Sequence, residues 1–175
     1  NGTAPFHFTY TVNGGPGQVA IANTGNTATV PVPTGTAGTY TYALTGVQES
    51  ATTGCTQNQS GTVAVIVKSL PTATISGSVE VCRNAPSPSV TLSAANGTAP
   101  YTFEYKINGG AVQTITTTSG NTVTVPVPTA VAGTFTYELV SVKESSATEC
   151  SQVQGGTAVV VVRDLPTATL SGNHE

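Results

Sequence analysis

The chain carries few side chains that could perform acid–base or nucleophilic chemistry. Its 175 residues include only two histidines, His7 and His174, and 7% of the residues are charged. Nucleophilic catalysis needs a base beside a serine or cysteine. Neither histidine belongs to the repeated pattern described below, because His7 aligns with Thr102 and His174 lies in the C-terminal tail. We therefore expect both histidines to be surface residues and the chain not to be an enzyme.

Acidic residues are equally poorly placed for catalysis or for metal binding. Glycoside hydrolysis requires paired carboxylates, and calcium at a domain junction requires several. Glu49 and Glu144 align with each other in the repeat, but no second acid recurs with them, so we expect solvated strand ends. Each linker offers at most one acid, as in Asp164-Leu165-Pro166. We expect no metal and no cofactor.

Composition and charge exclude further classes of function. The net charge of −3 provides no basic surface for nucleic acid or for anionic lipid. The longest apolar runs, Val63–Val67 and Ala158–Val162, are far shorter than the roughly 20 residues of a membrane-spanning helix. With 19 Gly, 11 Pro and no Trp or Met, this charge-poor chain is typical of an extracellular all-β protein with no membrane span.

An internal repeat organises the chain. Residues 1–77 align without a gap with residues 96–172 at an offset of 95, and 44 of the 77 positions are identical. A 95-residue unit suits a seven- or eight-stranded sandwich. We predict an immunoglobulin-like repeat lacking its first strands in 1–70, a complete repeat in 71–165, and the start of a third in 166–175.

Alternating side chains predict the strands that build each unit. In the second repeat Tyr101, Phe103, Tyr105 and Ile107 share one face. Further inward rows are predicted for Val90, Leu92 and Ala94, for Val123, Val125 and Val127, and for Phe135, Tyr137 and Leu139. Asn108-Gly109-Gly110 predicts a tight turn, and Pro126 and Pro128 predict a sheet edge, because proline has no N–H to donate. The predicted fold is all-β, with immunoglobulin-like sandwiches in tandem, end to end.

Three cysteines suggest a covalent staple. Cys55 and Cys150 are equivalent positions, and Cys82 lies early in its unit. If the start of the unit and the loop before its last strand share a pole, as in immunoglobulin-like sandwiches, Cys82 pairs with Cys150 and the partner of Cys55 lies outside this sequence. A disulfide implies an oxidising compartment. Two alternatives remain, a Cys55–Cys82 bond and three unpaired buried thiols.

The second repeat resembles the tandem repeats of SprB-type gliding-motility adhesins and related giant surface proteins of Bacteroidetes. The likeness is most specific at Gly97–Tyr101, Asn108–Gly110 and Gly133–Tyr137, and Cys82 and Cys150 stand where that family's paired cysteines are expected. The resemblance implies a cell-surface filament that the type IX secretion system exports and that attaches to a substratum. The implied partners are neighbouring repeats, a surface polysaccharide or other substratum, and gliding or secretion machinery outside this segment.

Two other functions compete with a structural and adhesive repeat. A carbohydrate-binding module stacks sugars on exposed aromatic rings, whereas here the tyrosines and phenylalanines fall on the inward rows. A spacer domain of a secreted enzyme would have its catalytic part elsewhere in the chain. An outward cluster of aromatic residues would favour the first alternative, and an attached hydrolase domain the second.

Overall fold

The computed structural model describes residues 2–49 and 54–172. These residues form β-strands, turns and loops, with no helix among them, and none of them forms a helix that could cross a membrane. The chain divides into two compact units, Asn1–Ser69 and Leu70–Glu175. The predicted assignment of 166–175 to a third repeat stays a prediction.

The strands described in the first unit form a single antiparallel sheet. Its strands are β1 (Phe6–Val12), β2 (Gln18–Ala22), β3 (Gly38–Glu49) and β4 (Thr56–Val67), in the order β2-β1-β3-β4. Most side chains of β1 and β3 are only half-buried. One face of this sheet is therefore incompletely covered within the unit.

The described residues of the second unit form nine strands in two sheets. They are β5 (Thr72–Ser76), β6 (Val79–Cys82), β7 (Ser89–Ala95), β8 (Tyr101–Ile107), β9 (Gln113–Thr116), β10 (Thr122–Pro126), β11 (Gly133–Glu144), β12 (Ser151–Val153) and β13 (Thr157–Arg163). One sheet has the order β10-β7-β5, and the other has the order β6-β13-β11-β8-β9 with β12 also paired to β11. The β6–β13 pair is parallel and the other pairs are antiparallel.

Side chains from both sheets of the second unit share one hydrophobic core. The predicted inward rows of β7, β8 and β11 are confirmed, with Val90, Leu92 and Phe103 fully buried. β13 adds Ala158, Val160 and Val162. Burying each large apolar side chain is worth about 1.5–3 kcal/mol, so this core is the main source of the unit's stability.

The strands of the two units correspond at the repeat offset of 95 residues. β1 matches β8 and β3 matches β11, and Phe6 pairs with Glu49 as Tyr101 pairs with Glu144. Both long strands also bulge at the same place, between Leu44 and Gly46 and between Leu139 and Ser141. Homologous sequence thus produces the same pairing register in both units.

The structure refines several sequence predictions. The Asn108-Gly109 turn is confirmed, with φ of 50° and 67°. β10 is confirmed as a sheet edge because, among the described strands, it pairs only with β7. The loop predicted over 144–156 contains the short strand β12. Strands β5 and β6 were not predicted, and the position of β6 decides where Cys82 lies.

Candidate functional site

The predicted Cys82–Cys150 disulfide is wrong for this structure. Cys82 ends β6 and pairs in register with Arg163, at the end of β13. Cys150 lies at the other end of β11, where its carbonyl accepts a hydrogen bond of 3.0 Å from the Glu144 amide. Gly133, beside Val162, and Glu144 are about 11 residues apart along β11, which is roughly 35 Å at about 3.3 Å per residue. A disulfide spans less than about 7 Å between Cα atoms.

The parallel pairing of β6 explains this error. The prediction assumed that the start of the unit and the loop before β13 share a pole. Instead β6 runs beside β13 in the same direction, which carries Cys82 to the end of the unit where the chain leaves. Cys82 is exposed and Cys150 is half-buried, and neither forms a disulfide. Cys55 is exposed, and the predicted partner outside this sequence remains a prediction.

The other chemistry-bearing residues are dispersed. His7 lies within β1 between Ile21 and Gln48 of the neighbouring strands, and His174 lies outside the described residues. Asp164 forms an exposed ion pair of 3.3 Å with Arg83. In the described parts of the chain, no group of three or more His, Cys, Asp or Glu residues could hold a metal ion.

Glu144 is the exception, and the prediction that it is a solvated strand end is wrong. Its side chain is only 1% exposed. The cause is the bulge between Leu139 and Ser141, which reverses the alternation of β11. Before the bulge Tyr137 and Leu139 point inward, and after it Val142 and Glu144 do. The bulge therefore places a carboxylate at the end of the core.

The Glu144 carboxylate joins two loops to the end of β11. One oxygen, Oε2, accepts a hydrogen bond of 2.6 Å from the Thr98 amide, and Oε1 accepts one of 2.6 Å from the Ser146 hydroxyl. The Ser145 amide also donates to the Thr98 carbonyl, at 3.2 Å. A buried carboxyl group is tolerated when its oxygens have hydrogen-bond partners. The arrangement is that of a structural clamp, in which these donors satisfy a buried acid.

The clamp depends on a glycine beside the carboxylate. Gly97 has φ of +91°, and a Cβ there would lie 2.7 Å from Glu144 Oε2. The first unit repeats the arrangement, since the Thr3 amide donates to Glu49 Oε2 at 3.1 Å and a Cβ on Gly2 would lie 2.7 Å from that oxygen. In the sequence, the signal for this clamp is that a glycine and a glutamate recur together in both repeats, as Gly2 with Glu49 and as Gly97 with Glu144.

The aromatic side chains of the second unit serve the core. Tyr101, Phe103, Tyr105 and Tyr137 are buried, and the rings of Tyr105 and Tyr137 stack with centroids 6.3 Å apart. Burial, with a smaller contribution from Tyr105, raises the pKa of Tyr137 above its ordinary value of 10.0. These rings therefore do not form a platform on which a sugar could stack.

The chain enters and leaves the second unit at opposite ends. Thr72, at the start of β5, lies beside Ala95, and its hydroxyl accepts a hydrogen bond of 3.5 Å from Asn96, near the Glu144 clamp. Arg163, at the end of β13, lies beside Cys82 and accepts a hydrogen bond of 2.7 Å from the Arg83 amide. The length of β11 separates these two ends.

No family model and no curated protein matches the chain. Among solved structures, it is similar to a Ca²⁺-stabilised adhesin that helps an Antarctic bacterium reach out and bind ice, with 16% identity, 94% of this chain and 41% of that chain covered, and a TM-score of 0.43. A second similar structure comes from a 1.5-MDa bacterial ice-binding adhesin and concerns its retention at the host cell surface. It shares 20% identity with this chain, the match covers 94% of this chain and 55% of that chain, and the TM-score is 0.39. The chain thus spans about half or less of each of these structures.

Proposed function

We propose that this chain is a structural repeat segment of a long extracellular adhesin. Complete repeats of this adhesin are immunoglobulin-like sandwiches joined end to end, and their role is to give the adhesin reach and resistance to force while it holds a substratum. The observation that carries the proposal is that the chain enters the second unit beside Ala95 and leaves it beside Cys82, at opposite ends. A repeated module with this property adds length with every copy.

The strand geometry suits a module that is pulled at its ends. Hydrogen bonds in a sheet lie across the strands. A force that pulls the start of β5 and the end of β13 outward acts along both strands and therefore loads many of these bonds together. The parallel pair β6–β13 provides a second such contact, reinforced by the two hydrogen bonds from Arg163 to Glu80.

The finer assignment follows the sequence resemblance. The adhesin is of the gliding-motility type and is exported to the cell surface by the type IX secretion system. Its partners are neighbouring repeats, a surface polysaccharide or other substratum, and the gliding and secretion machinery, which binds outside this segment. We also propose that the segment itself is not an enzyme. The dispersal of the described chemistry-bearing side chains and the hydrogen bonds that hold the buried acid Glu144 support this.

Electron microscopy of the surface material tests this proposal. In-frame deletion of whole 95-residue repeats from the full-length protein should shorten its fibres by about 35–40 Å per repeat, the span of β11 with its flanking turns. Deletion of an equal number of residues from outside the repeats is the matched control for export and abundance. Compact particles whose length is unaffected by the number of repeats would contradict the proposal.

A further inference from the structure

The first unit contains an apolar groove of about 700 Å³ on one face of its sheet. The side chains on the floor of the groove are the first-unit counterparts of side chains that point into the core of the second unit. It is lined by Phe8, Tyr10, Tyr42, Leu44, Val63 and Val65, with Val30 and Val32 along one side. Val63 is 60% exposed, whereas its counterpart Ala158 is 0% exposed. This face of the first sheet therefore has the same residue pattern as the core-facing side of the second unit's sheet, but no second sheet covers it within the described residues of its unit.

The second unit shows which structure covers this face. There the counterpart residues Phe103, Tyr105 and Tyr137 pack in one core with Val90 and Leu92 of β7. Ala73 and Ile75 of β5 contact the same core. The segment from β5 to β7 thus supplies the layer that the first unit does not have.

A second feature of the first unit points to the same segment. The outer edge of β4 pairs with no strand in the sheet order of the described chain, whereas its counterpart β13 pairs with β6 on that side. Ile66 on β4 is 69% exposed. Because β6 lies between β5 and β7 in sequence, one continuous segment covers both the face and the edge.

Identical peptides in the two units provide independent support. The sequence Thr-Val-Pro-Val-Pro-Thr occurs at 29–34 and at 124–129. In the second unit it contributes to β10, which pairs with β7, and in the first unit the same peptide forms no strand. The difference lies in the neighbouring strand rather than in the local sequence, as expected for a β-propensity that depends on context.

We propose that the groove and the β4 edge are an acceptor site for a three-strand segment with the sequence pattern of Pro71–Ala95, provided by the same chain in front of residue 1 in the repeat register. Recognition combines main-chain pairing along β4 with apolar side chains that alternate into the groove, which is the chemistry of strand addition to a sheet. The segment would place a valine-leucine row over Phe8 and Tyr42, and its β6-like strand beside Val65 and Val67.

The experiment places a copy of Pro71–Ala95 directly in front of residue 1 of the 175-residue chain. Hydrogen exchange of β1, β3 and β4 amides should slow by roughly 100-fold or more, because the local opening that permits exchange becomes costly. Binding of the dye ANS to exposed apolar surface should fall in parallel. The matched control carries Leu92→Asp in the added copy only, and it should retain the fast exchange and the dye binding of the unextended chain.

Two further measurements separate other occupants of the groove. A free peptide of the sequence Pro71–Ala95, added to the unextended chain, should protect the same amides in proportion to its concentration. The unextended chain should sediment as a monomer. The proposal is overturned if extension leaves exchange unchanged, if the Leu92→Asp copy protects equally, or if the unextended chain is a dimer with these amides already protected.

Discussion

Replacement of Glu144 by alanine should destabilise the second unit far more than an ordinary surface substitution. The buried carboxylate accepts two hydrogen bonds of 2.6 Å, from the Thr98 amide and the Ser146 hydroxyl. A hydrogen bond contributes about 0.5–1.5 kcal/mol net, and a buried donor left without a partner costs about 1–3 kcal/mol. Because Ser146 can turn towards Thr148, 2.8 Å away, we expect a net loss of about 2–4 kcal/mol in the free energy of unfolding.

Two matched variants identify the source of this loss. Glu144→Gln retains the shape and can present its oxygen to Thr98 and its amide group to Ser146, so it should cost only about 1 kcal/mol. Glu149→Ala removes a glutamate whose side chain is 68% exposed and which pairs with Lys143, and it should cost about 0.5 kcal/mol or less.

Urea unfolding gives these energies directly. The transition is followed by far-ultraviolet circular dichroism and by hydrogen exchange of peptides from the second unit, so that the two units are distinguished. Equal stabilities of Glu144→Ala and Glu149→Ala would refute the clamp. If Glu144→Gln is as unstable as Glu144→Ala, the hydrogen bonds to Thr98 and Ser146 are not the source of the stability.

Three further predictions follow from the contacts described. Gly97→Ala places a Cβ 2.7 Å from Glu144 Oε2 at φ of +91° and should cost about 2–4 kcal/mol in unfolding experiments, whereas Gly120→Ala, with φ of +69° and open space around it, should cost about 1 kcal/mol. Peptide mapping of the oxidised 175-residue chain under non-reducing conditions should yield no Cys82–Cys150 peptide, and its recovery in high yield from monomer would contradict the register of β6. The hydrogen bond from Arg163 lowers the pKa of Glu80 below its ordinary value of 4.5. The stability that the pair adds is therefore present at neutral pH and is lost as the pH falls through the lowered pKa. A pKa of Glu80 at or above 4.5 in an NMR titration would contradict this pairing.

Much of the second unit could be predicted from sequence because its strands alternate strongly. Tyr101, Phe103 and Tyr105 fix the inward face of β8, and asparagine-glycine fixes the turn that follows. β5 and β6 were not predicted, because these strands are only 5 and 4 residues long and β6 has no alternating aromatic row. Their pairing is a property of the tertiary fold, and it determined where Cys82 lies.

The burial of Glu144 could not be read from alternation alone. A bulge inserts one residue into β11, and every side chain after it changes face. The inserted residue is Val140, so neither a glycine nor a proline marks the bulge in the sequence. In the first unit, the peptide at 29–34 has the same sequence as 124–129 but forms no strand, so local sequence alone does not decide its structure.

The most direct test of the central claim is to pull single molecules in two directions. With tethers at the two chain termini, the second unit should open in one step at high force. Extending the roughly 92 residues from Thr72 to Arg163 at about 3.6 Å each, less the folded span of about 35 Å, gives a gain of about 300 Å. With Cys55 and Cys150 replaced by serine, a tether on exposed Cys82 and one at the C terminus would instead peel β6 from β13 from one end. The account predicts a clearly lower force in this second geometry. Equal forces in both geometries, or gradual unravelling without a single step, would contradict it.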